Sequence, residues 1–240
     1  MGFTNVYKDA RRADSYSKLE FPGTYYLAFR DLPRIISSRA RGRRALDFGC
    51  GAGRSTRFLR GLGFETVGVD TSAEMIGCAR RVDRTGDYRL VKEGDLSTLR
   101  SEAYDIAFSA FTFDNIPTLE TKAACLGEID RILRADGVFV NLVSSPEIYK
   151  HEWASFSTKD FPENPTARTG DRVRIIQNDV EDHRPVEDVI WYDEDYQELY
   201  RRTGMKLVET HRPLGRPNEP YGWINETRIA PWTIYVLEKV

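Results

Sequence analysis

The sequence predicts an α/β fold, a doubly wound and mostly parallel sheet with helices on both faces. Three observations predict it. Short apolar runs alternate with segments of helical periodicity from Arg43 to Ser144. The first run, Ala45-Leu46-Asp47-Phe48, breaks directly into alternating glycines at Gly49, Gly51 and Gly53. Aspartates follow the runs at Asp47, Asp70 and Asp95, where a parallel sheet presents the strand ends that bind ligands.

Each element has a local reason. Leu27, Phe29, Leu32, Ile35 and Ile36 have the spacing of an amphipathic helix, with Pro33 either disturbing it or marking a new start. Ala45–Phe48 reads as a strand, Arg54–Leu62 as a helix, and Glu65–Val69 as a second strand ending at Asp70. Ser72 is an N-cap for a helix to Arg81, with Glu74 in its first turn. Tyr88–Val91 and Tyr104–Phe111 read as the third and fourth strands. The helix Leu119–Leu133 stops before the turn signal Asp136-Gly137, and Val138–Val143 is the fifth strand.

The regularity breaks after Ser144. Residues 145–190 carry Pro146, Pro162, Pro165 and Pro185 among Trp153, Phe156 and Phe161, with one alternating strand at Val173–Ile176. Asp195–Thr203 then reads as a helix, and Lys206–Thr210 and Trp232–Leu237 as strands that form a terminal hairpin or join the main sheet. The expected organisation is one domain: a helical lid over 1–42, a binding core over 43–144, an insertion covering the ligand edge over 145–190, and a final helix and strands over 191–240.

Composition narrows the function classes. A formal net charge of -2 leaves no basic footprint for a nucleic-acid backbone. The cluster Arg39, Arg41, Arg43 and Arg44 is local, a solvated helix end or an anion contact. Cys50, Cys78 and Cys125 lack disulfide or zinc spacing and suit a reducing, cytoplasmic setting. No apolar run approaches membrane-spanning length. Glu181, Asp182 and His183 are adjacent and cannot readily converge on one ion, so no metal site is expected.

The glycine turn carries the chemistry. Glycines there let the backbone bend tightly and let a ligand approach main-chain N–H groups. A carboxylate at Asp47 opposes a pyrophosphate and favours a nucleoside bearing an amine and a sulfonium. The third glycine falls at Gly53, whereas a dinucleotide fingerprint needs one at the position of Arg54. Arg54 can meet a phosphate or a carboxylate. Asp70 has the spacing of a ribose-binding acid, or else caps the Ser72 helix.

Five ordered segments resemble the class I methyltransferases that use S-adenosylmethionine. They are Asp47–Gly53, Val67–Asp70, Glu93–Leu96, Tyr104–Phe111 and Glu128–Val138. The resemblance implies a Rossmann-like, seven-stranded sheet and S-adenosyl-L-methionine as methyl donor, leaving S-adenosyl-L-homocysteine. It also implies cofactor contacts from Asp47, Gly49, Gly51, Gly53, Asp70, Thr71, Met75 and Ser109. Asp95 would accept from the adenine amine and Leu96 would offer a main-chain N–H.

The acceptor is read less directly. It is expected over the loop Ser109–Asn115, with Phe111 and Phe113 as an aromatic wall or as core, and Asp114 and Asn115 as polar handles. His151, in a group with Glu147, Tyr149, Glu152 and Trp153, is a base or a surface histidine. Candidate catalytic residues are thus His151, Asp114 and Asn115. Candidate acceptor contacts are Phe111, Phe113, Tyr16, Trp153 and Trp223, with Tyr7, Tyr16, Tyr25 and Tyr26 as lid tyrosines. The expected reaction methylates a nitrogen or oxygen of a small molecule, with a lean towards nitrogen. The alternatives are a tRNA or protein acceptor, or a protein that binds the nucleoside without turnover. No membrane or nucleic-acid partner is expected, and an oligomer is allowed.

Overall fold

The computed structural model describes residues 9–239, so Tyr7 and Val240 lie outside the described residues. Three short helices open the chain: α1 (Ala10–Ser17), α2 (Gly23–Arg30) and α3 (Leu32–Arg39). The Asp9 carboxylate caps α1 by accepting from the Arg12 N–H. The expected single helix over Leu27–Ile36 is two helices, because the chain breaks at Asp31 and restarts with Pro33 in the first turn of α3. A proline there loses no helical hydrogen bond.

The core follows as β1 (Arg44–Phe48), α4 (Arg54–Gly61), β2 (Glu65–Asp70), α5 (Ala73–Val82), β3 (Asp87–Leu90) and β4 (Tyr104–Ala110). It continues through α6 (Leu119–Ile132) and β5 (Leu133–Ser144). Asp136-Gly137 does not separate α6 from β5 as expected. It is absorbed as an irregularity in β5, where Tyr104 pairs with Leu133 but Ile106 pairs with Val138. After the insertion come α7 (Asp193–Arg202), β9 (Lys206–His211) and β10 (Trp232–Glu238).

The seven strands pair in the order β3-β2-β1-β4-β5-β10-β9. The first five are mutually parallel, and β10 runs antiparallel between β5 and β9. Order reverses between β1 and β4, which places a crevice beyond their carboxyl ends. One apolar face packs Leu46, Phe139 and Tyr235 against Ile129 of α6 and Leu199 of α7. The other packs Ala45, Phe108, Val140 and Ile234 against α2 and α3 through Leu27, Leu32 and Ile35. Strands buried on both faces explain why β4 and β5 read as nearly continuous apolar runs.

The insertion is more ordered than its sequence suggested. β6 (Phe156–Ser157), β7 (Arg172–Gln177) and β8 (Val186–Val189) form a separate antiparallel sheet, where one strand was expected. Its short strands carry too few residues for periodicity to register, and their partners are supplied by tertiary pairing. No helix among the described residues is long and apolar enough to cross a membrane.

Candidate active site

The turn after β1 is held from below and behind. Val69 at the end of β2 accepts from the N–H groups of both Gly49 and Cys50, at 2.8 and 2.9 Å. Gly49 has φ +72°, and a Cβ there would collide with the Thr112 side chain. Thr112 in turn donates its hydroxyl to the Phe48 carbonyl at 3.1 Å. Gly51 has φ +52° and stands against Met75. These positions need glycine both for the left-handed backbone and for the missing side chain.

Asp70 locks this turn to β2. Its Oδ2 accepts from the Gly51 N–H and its Oδ1 from the Ser72 N–H, each at 2.8 Å. Burial pushes its pKa up, while the Ser72 and Gly51 amides favour the anion. Ser72 caps α5 through its hydroxyl, which accepts from the Met75 N–H. The cap of α5 is thus Ser72, and Asp70 fixes the Ser72 N–H rather than capping the helix itself, with both of its oxygens retaining acceptor capacity.

Two cavities meet at Asp70. The larger, about 110 Å³, is bounded by Gly49–Ala52, Met75, Arg54 and the aromatic residues Tyr16, Tyr25, Phe111 and Trp232. The smaller, about 70 Å³, is bounded by Val69, Thr71, Val91, Lys92–Gly94, Ile116 and Cys125. Gly49, Asp70, Thr112 and Asn115 line both. The first extends towards the insertion, where Tyr149, Gln177 and Asp188 close it.

The structure brings some expected residues to this cleft and leaves others away from it. Gly49, Gly51, Asp70, Thr71 and Met75 line it, as do Tyr16, Phe111, Asp114 and Asn115. Asp47 does not. Its side chain is fully buried beneath the turn, where Oδ2 accepts from the Ser55 and Thr56 hydroxyls at 2.7 and 2.6 Å and Oδ1 has no partner among the described residues. Burial raises its pKa to about 6. Gly53 and Ser109 are not among the lining residues either. Gly53 faces Tyr88, and Ser109 is fully buried in β4.

Asp95 is exposed and accepts from the Ser97 N–H at 2.9 Å, while the Leu96 N–H donates to Glu128 at 2.9 Å. The small cavity is lined instead by Lys92, Glu93 and Gly94. Phe113 is core, packed between Phe48 and Phe139. Trp153 is core too, its indole donating to the Ile148 carbonyl. Trp223 lies outside the cleft against Tyr221 and donates to the Arg216 carbonyl. His151 also lies outside, 3.2 Å from Glu147 and edge-on to Trp153. Trp153, Trp223 and His151 project from loops, and Phe113 from a single 3-10 turn, whose directions are set by distant packing rather than by local pattern.

Arg54 proves central. It is buried at the first position of α4, with its guanidinium within 4.9 to 6.0 Å of the ring centroids of Tyr16, Phe21, Tyr25, Phe29 and Phe111. It donates to the Glu20 carbonyl at 2.7 Å and to the Tyr16 hydroxyl at 2.9 Å. No carboxylate among the described residues forms an ion pair with it. Phe111, beside it, holds φ +62°, a strained value for an aromatic residue.

The insertion supplies residues that sequence reading missed. Asp188 lies on β8, and its Oδ2 accepts from the Tyr149 hydroxyl at 3.0 Å. Asp114 accepts from the Ser144 N–H at 3.0 Å. Burial pushes the pKa of both acids up and that of the fully buried Lys122 down. A signal existed for Asp188, an acid at the same strand parity as Val186 and Ile190.

Comparison with known proteins agrees with this geometry. Residues 46–141 match the family described as a methyltransferase domain. The chain is 29% identical over 128 residues to a probable S-adenosylmethionine-dependent methyltransferase of Saccharomyces cerevisiae, covering 45% of this chain and 42% of the relative. It is 31% identical over 120 residues to a malonyl-[acyl-carrier protein] O-methyltransferase of Enterobacter lignolyticus, covering 48% and 46%. The chain thus spans less than half the length of these curated relatives. Among solved structures, the CcbJ methyltransferase from Streptomyces caelestis superposes with a TM-score of 0.71 at 18% identity, covering 99% of this chain and 100% of that one. Residues 46–141 thus match a methyltransferase domain, and the strand order together with the likeness to solved methyltransferases shows a Rossmann-like fold.

Proposed function

We propose that the chain binds S-adenosylmethionine across Asp70 and methylates a small-molecule acceptor seated between the glycine turn and the β6–β8 sheet. The observation that carries this reading is the meeting of two cavities at one fixed carboxylate. The residues fit the group. The small cavity offers apolar walls for a base, Asp70 offers two directed acceptors for a ribose diol, and the Gly49–Ala52 backbone bounds the larger cavity without intruding side chains. Arg54, buried without a carboxylate partner, is placed to take a carboxylate of the donor.

The donor supplies an activated methyl on a sulfonium, so the protein's work is placement and exclusion of water. Tyr16 and Tyr25 from the N-terminal helices and Tyr149 and Asp188 from the insertion close the acceptor end, which supports a lid role for both segments. The relatives' names include O-methyltransferases, which supports oxygen as one acceptor atom. Calorimetry with S-adenosylmethionine and S-adenosylhomocysteine tests the binding step, and absence of binding by both refutes it. Release of S-adenosylhomocysteine in the presence of amines, phenols and carboxylic acids tests turnover.

A further inference from the structure

The acceptor end of the cleft is rich in oxygen acceptors and poor in free donors. Asp114 and Asp188 both line it. Asp188 is only 8% exposed, and among the described residues it accepts from the Tyr149 hydroxyl on Oδ2, which leaves Oδ1 for a ligand. The Asn115 Oδ1 is buried and without a partner on the same wall, because the amide group turns its nitrogen to the Phe111 carbonyl. Asp114 receives the Ser144 N–H, shared between its two oxygens, and the Ser144 hydroxyl.

Arg54 lines the same cleft at the glycine turn, whereas Lys122, the cation whose charge acts on both acids, lies outside the cleft lining. Lys122 donates to the Phe113 carbonyl and lies over the Trp191 and Tyr196 rings, outside the cleft lining. Two buried carboxyl groups therefore share one ammonium that faces away from the cavity. The same cleft has an aromatic lining: Phe111 and Trp232 lie 4.8 Å apart between centroids, and Phe156 is 5.6 Å from Trp232. Acidic oxygens and aromatic rings lining one cavity form a site for an organic cation. An anionic acceptor would meet repulsion here, and a neutral hydroxyl would leave a buried acid unpaired.

We propose that the methyl acceptor is a basic amine, held as an ammonium by Asp188 and Asp114 against the Phe111–Trp232–Phe156 wall. This rests on the cofactor reading above and deepens it. Tyr149, Phe156, Asp188 and Trp232 lie outside the matched domain of residues 46–141, so this end of the cleft belongs to the part of the chain that the family match does not describe. The bound ammonium first gives up one proton, and the lone pair so freed forms the nitrogen–carbon bond as the carbon–sulfur bond breaks with its electron pair left on sulfur, leaving a methylated ammonium. The Asp188 Oδ1 takes that proton before the transfer.

An isosteric series separates the charge from the shape. Protein saturated with S-adenosylhomocysteine is titrated calorimetrically with benzylamine, benzyl alcohol and benzoate. Benzylamine is expected to bind at least tenfold more tightly than either, with Asp188→Asn and Tyr149→Phe each reducing that preference at least fivefold. S-adenosylhomocysteine affinity in both variants should stay within twofold of the parent, which confirms that they fold. Benzylamine that binds no better than the alcohol or benzoate overturns the inference, as does a preference unchanged by Asp188→Asn. Failure to bind S-adenosylhomocysteine in the first place would instead overturn the cofactor reading.

Discussion

The Asp70 carboxylate stands 2.8 Å from the Gly51 amide nitrogen, so the acid that ends β2 also fixes the turn that follows β1. Because the same side chain bounds both cavities, it couples the shape of the turn to the proposed ribose contact. Asp70→Ala is expected to weaken S-adenosylhomocysteine binding by more than tenfold. That loss corresponds to ~1.5–3 kcal/mol for hydrogen bonds to a charged group. Calorimetry measures it, and an unchanged affinity would remove the ribose assignment.

Gly49 meets Thr112 where a Cβ would stand, and its φ of +72° is costly for any other residue. Gly49→Ala should destabilise the fold by ~2–4 kcal/mol, from backbone strain and overpacking together. Gly49→Ala/Thr112→Gly should recover part of that loss by removing the collision and leaving only the strain. Chemical denaturation of the two variants checks this; equal losses would show that the contact is irrelevant.

Asp47 is buried with one oxygen unpaired, and its pKa is raised to about 6. The folded protein therefore holds this proton more tightly than the unfolded chain, whose pKa is ~3.9. The resulting stabilisation is present below pH ~4 and is lost as pH rises to about 6, ~3 kcal/mol in all. Asp47→Asn cannot titrate, so the parent should lose that much stability relative to the variant between pH 4 and 7. Parallel stability profiles would count against the raised pKa.

Arg54 ties the N-terminal helices to the glycine turn through the Glu20 carbonyl, the Tyr16 hydroxyl and five aromatic rings. A lysine keeps the charge but not the planar fork that stacks and donates in several directions. Arg54→Lys should raise hydrogen-exchange rates over residues 10–30 at least fivefold and weaken S-adenosylhomocysteine binding. Exchange mass spectrometry reads the first effect. Unaltered exchange would mean that Arg54 does not anchor this segment.

The division between sequence and structure follows the range of the interactions. The run Ala45–Phe48, the glycines at 49, 51 and 53, and the acid at Asp70 identify a strand, a turn and a ligand edge because their constraints are local: backbone angles, helix caps and strand parity. They predicted the α/β class, the family resemblance and the place of the turn before any contact was known.

Tertiary structure decided what those residues face. Asp47 has the right spacing for a ligand carboxylate, yet α4 brings Ser55 and Thr56 onto it and closes it off. Phe111 and Phe113 are two residues apart, but one lines the cleft and the other fills the core, since the chain turns sharply after β4. Asp114 and Asp188 share a wall only because the β6–β8 sheet folds back over the ends of β4 and β5. Such contacts join segments far apart in the chain. Their geometry depends on long-range packing, which neither periodicity nor motif spacing encodes.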